Sequence, residues 1–253
     1  KKNEEARMQA SMSRYLPHTT GERGDVRFAS LARYLVEGPG TGEPRIGYVL
    51  PLESGPHLLL VTPAGKVLDV MPFANDSEDQ AEQEAALKKL LPKAHLTYTD
   101  HYILALQDGK RIASFIQGQT QGFKTWIKML IALGPDNALK GLEILEHEED
   151  PGLGAEIEQE YFRNQFMGRT LESLARLKVI KLPLPADYQR CLERDEWPEH
   201  HISPAEGARL CEEYAGSDIY AITGATISSR RVTLGMRKLV NAFVKRMAII
   251  DKA

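Results

Sequence analysis

Apolar positions recur every second residue along much of the chain and every third or fourth residue in a few stretches, which predicts strands interrupted by helices. The longest helical pattern is C-terminal. Val232, Met236, Leu239, Val240, Phe243, Val244 and Met247 form one apolar face, and Arg230, Arg231, Arg237, Lys238 and Lys245 cover the rest. Residues 1–17 read as a polar helix broken at 19–24, and residues 28–36 as a short helix stopped by Gly38-Pro39-Gly40-Thr41-Gly42. Strand patterns follow at 46–52, 57–62 and 67–71, the last two joined by a Pro63-Ala64-Gly65-Lys66 turn. Residues 77–91 predict a helix with Asp76 or Ser77 as its cap, an acidic first turn, Lys88-Lys89 near its end and Pro92 beyond.

Four more strands are expected at 98–107, 111–118, 125–133 and 139–146, with turns at Asp108-Gly109-Lys110 and Gly134-Pro135-Asp136-Asn137. Residues 156–165 read as helical and 171–180 as a further short element. A proline-bearing excursion then leads to a helix over 203–214 with Pro204 at its first position. The sum is an α+β fold: an antiparallel sheet packed by helices, with the long helix following a turn near residue 224. Residues 1–60 read as a separate N-terminal segment and residues 61–253 as the main domain.

Composition narrows the function. The 253 residues are 42% hydrophobic, enough for a real core, and 32 basic against 35 acidic side chains leave a net charge of −3. Interspersed signs argue against a nucleic-acid binder. No apolar run approaches the roughly 20 residues needed to span a bilayer. The abrupt start at Lys1-Lys2-Asn3 suits a mature or truncated form. Cys191 and Cys211 bracket a polar segment; one disulfide in an oxidising compartment and two buried thiols both fit. Glu199-His200-His201 is the densest metal-like cluster, but adjacent histidines on a polar loop are ordinarily solvated. His147-Glu148 lacks the second histidine of a zinc hydrolase motif. No metal site and no catalytic acid, base or nucleophile is assigned.

The most informative stretch is Tyr220-Ala221-Ile222-Thr223-Gly224-Ala225-Thr226-Ile227-Ser228-Ser229, immediately before the long helix. A hydroxyl-rich turn at a helix N-terminus presents free N–H groups and suits a phosphate, with Gly224 permitting close approach. An ordinary N-cap at Ser228 or Ser229 is the plainer reading.

Thr223-Gly224-Ala225-Thr226 resembles the S/T-G-A-T motif of the FMN-binding domain family. His147-Glu148-Glu149-Asp150-Pro151-Gly152-Leu153-Gly154 resembles its H-x-E-T-P-G-L-G segment, with Asp150 at the usual threonine. Both occur in family order, and the resemblance covers roughly residues 95–250. The family includes the flavin-carrying extracytoplasmic subunits of the Rnf complex and of the sodium-translocating NADH:quinone oxidoreductase.

The resemblance implies an α+β domain holding FMN, with Thr226 as the phosphoester acceptor loaded by a separate flavin transferase. Thr223, Gly224, Ala225, Ser228 and Ser229 would line the phosphate. Glu149, Asp150, Gly152, Leu153 and Gly154 would meet the isoalloxazine ring, where Asp150 would lower the reduction potential. Phe123 reads either as stacking on the ring or as a core aromatic. Tyr220 stands where the family has aspartate, six positions before the acceptor, so covalent and noncovalent FMN both stay open. The implied function is an extracytoplasmic electron carrier among the subunits of a membrane redox complex, held by an N-terminal membrane anchor upstream of this sequence. The alternatives are a regulatory or sensory FMN-binding domain of a membrane protein, and a flavin-free assembly module.

Overall fold

Two-residue periodicity decides most of the architecture. The computed structural model describes residues 2–16, 25–38, 42–75 and 79–253. In chain order the elements are α1 (Lys2–Arg14), β1 (Arg27–Glu37), β2 (Arg45–Leu52), β3 (Gly55–Val61), β4 (Val67–Pro72), α2 (Gln80–Leu90), β5 (His95–Gln107), β6 (Lys110–Gln121), β7 (Trp126–Leu133) and β8 (Leu139–Glu146). After them come α3 (Glu160–Arg163) between two single 3-10 turns, α4 (Leu171–Arg176), β9 (Val179–Ile180), α5 (Ala186–Leu192), α6 (Pro204–Glu212), β10 (Ile219–Tyr220) and α7 (Thr226–Ile250). The antiparallel sheet packed by helices and the long final helix are those expected of an α+β chain, with α2 lying inside the strand run between β4 and β5.

The chain divides into two compact units, Leu16–Phe115 with Ala242–Ala253, and Lys1–Tyr15 with Ile116–Asn241. In the first, the strands run in the order β4-β3-β2-β1-β5-β6, each neighbour paired antiparallel. Ala32, Tyr34, Val36, Val49, Leu58 and Leu60 bury one face of this sheet against Leu87 of α2. The last turns of α7 contribute Phe243, edge-on to Tyr102 at 4.9 Å, and Arg246, which grips Asp100 at 2.6 and 3.1 Å. The hairpin turns fall where the glycines predict them, with Gly65 at φ +84° and Asp108-Gly109 at +49° and +70°.

The second unit holds the end of β6, then β7 and β8, the short helices, the parallel pair β9–β10 and α7 up to Asn241. Here α7 lies directly on β6. A Cβ at Gly118 would come within 2.5 Å of Leu239, and one at Gly235 within 2.5 Å of Thr120, so both positions need glycine to let helix and strand close. Tyr15, just past α1, lies over Gly141 and donates to Glu143 at 2.5 Å; Arg163 engages the other oxygen of the same carboxylate.

Three expectations are corrected. Residues 28–36 are strand β1, not helix: pairing with β2 on one side and β5 on the other outweighs a local pattern compatible with both periods. Ala29 and Leu31 are buried on one phase and Ala32, Tyr34 and Val36 on the other, so both faces of β1 are covered in turn, which disguises the two-residue repeat. The cap of α2 is Asp79, whose carboxylate accepts from the Ala81 and Glu82 N–H groups at 2.9 and 3.1 Å. Asp76 and Ser77 lie outside the described residues, as do 19–24 and 39–41. The expected helix over 156–165 is broken at Gln159, whose extended ψ of 146° separates a 3-10 turn from α3. Leu60 and Val61 are both residues of β3, a strand paired on both sides.

Candidate functional site

Three chain segments of the second unit enclose a cavity of ≈ 300 Å³: the turn before β7, the 149–154 turn and the N-terminus of α7. It is lined by Phe123, Glu149, Asp150, Leu153, Gly154, Gly224, Ala225, Thr226, Ile227 and Ser228.

Glu149 joins the segments. It is 5% exposed, and one carboxylate oxygen accepts from the Phe123 and Lys124 N–H groups at 2.9 and 3.1 Å. The other accepts from the Ser228 hydroxyl in the first turn of α7. Gly122 and Gly154 make room for it: a Cβ at either would meet a Glu149 oxygen at 2.4 or 2.6 Å. A buried carboxylate is tolerable here because donors surround it, and it also faces the positive end of a helix. His147 sits behind, its Nδ1 accepting from the Glu149 N–H at 3.0 Å and its Nε2 paired with Glu158 at 2.9 Å. Its role is structural.

The 149–154 turn closes through Leu153 and Ala155 N–H groups on the Asp150 carbonyl at 3.1 and 3.0 Å, with Gly152 at φ +70°. Gly224, at φ +78°, carries the chain into α7 so tightly that a Cβ there would meet Leu153 Cδ2 at 2.7 Å. Ser229 is fully buried; its hydroxyl accepts from the Ile222 N–H at 3.1 Å and donates to the Ala225 carbonyl at 3.0 Å, locking the turn. The N–H groups of Thr226, Ile227 and Ser228 find no acceptor among the described residues, as befits the first turn of a helix. All three residues line the cavity. Around its mouth Phe123, Leu153 and Ile227 stand 61%, 45% and 51% exposed, an unusual gathering of large apolar side chains at a surface.

Of the expected residues, the structure brings Phe123, Glu149, Asp150, Leu153, Gly154, Gly224, Ala225, Thr226 and Ser228 to this one cavity. Gly152 and Thr223 line a neighbouring one of ≈ 440 Å³, and Ser229 lines neither. Phe123 is at the surface, so the core reading is set aside. Two residues were missed. Ile227 lies in the motif, an apolar residue among hydroxyls, and lines the cavity. Lys124, which pairs with Asp150 at 2.5 Å, has no motif at all.

Tyr220 is half-buried, its backbone held on both sides by the Gln165 carboxamide. Its ring meets Tyr188 edge-on at 5.9 Å, and Tyr188 stacks on Tyr214 at 4.4 Å. Cys191 and Cys211 are joined in a disulfide within the same cluster, with Cα atoms 5.3 Å apart.

Helix N–H groups without an acceptor among the described residues, a threonine hydroxyl and an exposed apolar rim around one cavity are the groups that a ligand with an anionic end and a flat apolar body would use. The model of the FMN-binding domain family matches residues 122–241, nearly the whole continuous stretch of the second unit. The chain is 27% identical over 136 residues to a component of the proton-translocating ferredoxin:NAD(+) oxidoreductase complex of Clostridium ljungdahlii. That match covers 54% of this chain and 56% of the relative, so the chain spans little more than half the relative's length. Solved structures similar to it include a component of the Na(+)-translocating NADH-quinone reductase of Parabacteroides distasonis (20% identity, 74% of this chain and 75% of that one, TM-score 0.39). NqrC of Shewanella oneidensis is another (16% identity, 82% and 77%, TM-score 0.40).

Proposed function

We propose that this chain holds FMN in the cavity at the start of α7, tethered through a phosphoester on Thr226, and serves as an electron-carrying member of a membrane-bound redox complex on the extracytoplasmic side. The observation that carries the reading is that one cavity is lined by Thr226, Ile227 and Ser228, whose N–H groups have no acceptor among the described residues, and by the apolar Phe123 and Leu153.

The residues present fit FMN. The N–H groups of Thr226, Ile227 and Ser228 would take the phosphate with the helix dipole behind them. Phe123, Leu153 and Ile227 would cover the ring. When bound, FMN supplies reversible electron acceptance and release. The chain's own residues bind and orient. Glu149 has both oxygens committed to protein donors, so it fixes the geometry of the wall and needs no proton traffic.

The disulfide supports an oxidising compartment, because such bridges persist outside the reducing cytosol. The Clostridium ljungdahlii relative is itself part of an oxidoreductase complex, which supports membership of one here. Noncovalent FMN is the second reading, favoured by Tyr220: an aromatic ring packed on Tyr188 stands where the family's attachment motif has a carboxylate.

Intact-mass measurement after coexpression with a flavin transferase tests the proposal. A gain of one FMN less one water, absent in Thr226→Ala, is the expected result. A yellow chain of unmodified mass selects the noncovalent reading. A colourless chain of unmodified mass overturns both.

A further inference from the structure

We infer that Lys124 neutralises Asp150 at the rim of the cavity and thereby sets how strongly the site holds, and how easily it reduces, an anionic flavin; this rests on the FMN reading above. Asp150 lines the cavity, so its carboxylate places negative charge beside any ligand there. A ligand carrying a phosphate is repelled by that charge, and adding electrons to a ring beside it is harder. The Lys124 ammonium lies 2.5 Å from Asp150 Oδ1, and the two side chains are 46% and 41% exposed. Asp150 draws the Lys124 pKa upward, by hydrogen bond first and by charge second, which keeps the ammonium protonated.

The fold leaves this pair free to act on the ligand. The wall itself is clamped by Glu149, buried and bonded to the Phe123 and Lys124 N–H groups and to Ser228. With that clamp in place, an exposed ion pair adds little to stability. Lys124 also sits beside Phe123 on the same turn, so its placement is fixed by the backbone contacts that hold the ring-facing aromatic. Sequence alone gives it no motif; the role comes from the turn bringing Lys124 over a residue 26 positions away.

The test compares the full wild-type chain with Lys124→Met, Asp150→Asn and the double variant, each titrated with FMN and poised by spectroelectrochemistry once loaded. Lys124→Met is expected to weaken FMN about tenfold at low salt and to lower the midpoint potential, with the affinity loss shrinking as ionic strength rises. The double variant is expected to return both quantities to near the wild-type values, and Asp150→Asn alone to hold FMN more tightly than wild type. Thermal midpoints should stay together across the set, which separates a charge effect from unfolding. Equal affinity and potential in wild type and Lys124→Met overturn the inference while leaving the FMN reading intact. A wild-type chain that takes up no FMN, by titration or after coexpression with a flavin transferase, sinks the FMN reading itself.

Discussion

Glu149 shows how one buried charge can join separate chain segments around a cavity. Two backbone N–H groups and one hydroxyl depend on it. Glu149→Ala strands all three and is expected to destabilise the fold by about 3 kcal/mol, whereas Glu149→Gln keeps an acceptor for the N–H groups and lets the Ser228 hydroxyl turn round to accept. Urea unfolding midpoints of the two variants check this, and equal losses in both would count against the clamp. His101 makes a second prediction at this scale. Burial lowers its pKa from the usual 6.5, with Asp100 opposing, and its Nδ1 pairs with the Tyr98 hydroxyl at 2.6 Å. The unfolded chain therefore binds a proton below about pH 6.5 that the folded chain refuses. Stability is fully present above that value and falls as the pH drops from it toward the lowered folded pKa. His101→Gln should flatten the difference between urea midpoints at about pH 7.5 and about pH 5.5. Asp150 was expected from the sequence to act as a bare negative charge beside the flavin; the structure gives it a partner, and the expected shift in potential becomes a property of the pair.

Among the elements, α7 was the most legible and β1 the least. The apolar stripe from Val232 to Met247 has a single period: Val232, Met236, Val240, Phe243 and Met247 are buried and Leu239 and Val244 half-buried, as the spacing requires. β1 carries Ala29 and Leu31 on one phase and Ala32, Tyr34 and Val36 on the other, so neither phase runs the length of the strand. The disulfide between α5 and α6 was undecidable from two cysteines; what settles it is the packing of the two short helices around Tyr188 and Leu192. Its two half-cystines lie 20 residues apart, so losing the bridge is expected to cost about 3 kcal/mol through the entropy regained by the unfolded loop. Thermal melts of Cys191→Ser/Cys211→Ser beside the oxidised chain measure it, and an unchanged melting temperature would refute the estimate.

For the whole molecule, the units are built from segments that are not contiguous in sequence. One needs residues Leu16–Phe115 together with Ala242–Ala253; the other needs Lys1–Tyr15 together with Ile116–Asn241. A fragment of residues 61–253 loses β1 and β2, which supply Tyr34, Val36 and Val49 to the core beneath α2. It is expected to show no cooperative thermal transition, while the full chain does; a sharp transition in the fragment, followed by circular dichroism, would contradict this. Truncation after Asn241 should be less severe but visible, since it removes Phe243 from Tyr102 and Arg246 from Asp100.

Local chemistry is what the sequence determined by itself. Glycine and asparagine turns, the period of most strands, the long final helix and the hydroxyl-rich turn before it are each set by residues within a few positions of one another, where steric limits and side-chain period act directly. The tertiary structure decided what depends on distant partners. It made a strand of residues 28–36 by flanking them with β2 and β5, joined Cys191 to Cys211, and folded Glu149 under Ser228, 79 positions away, so that three segments close on one cavity. It also set Lys124 against Asp150. No window of sequence contains those pairings, because the free energy that selects them comes from burial and hydrogen bonding shared among elements that only the completed fold brings together.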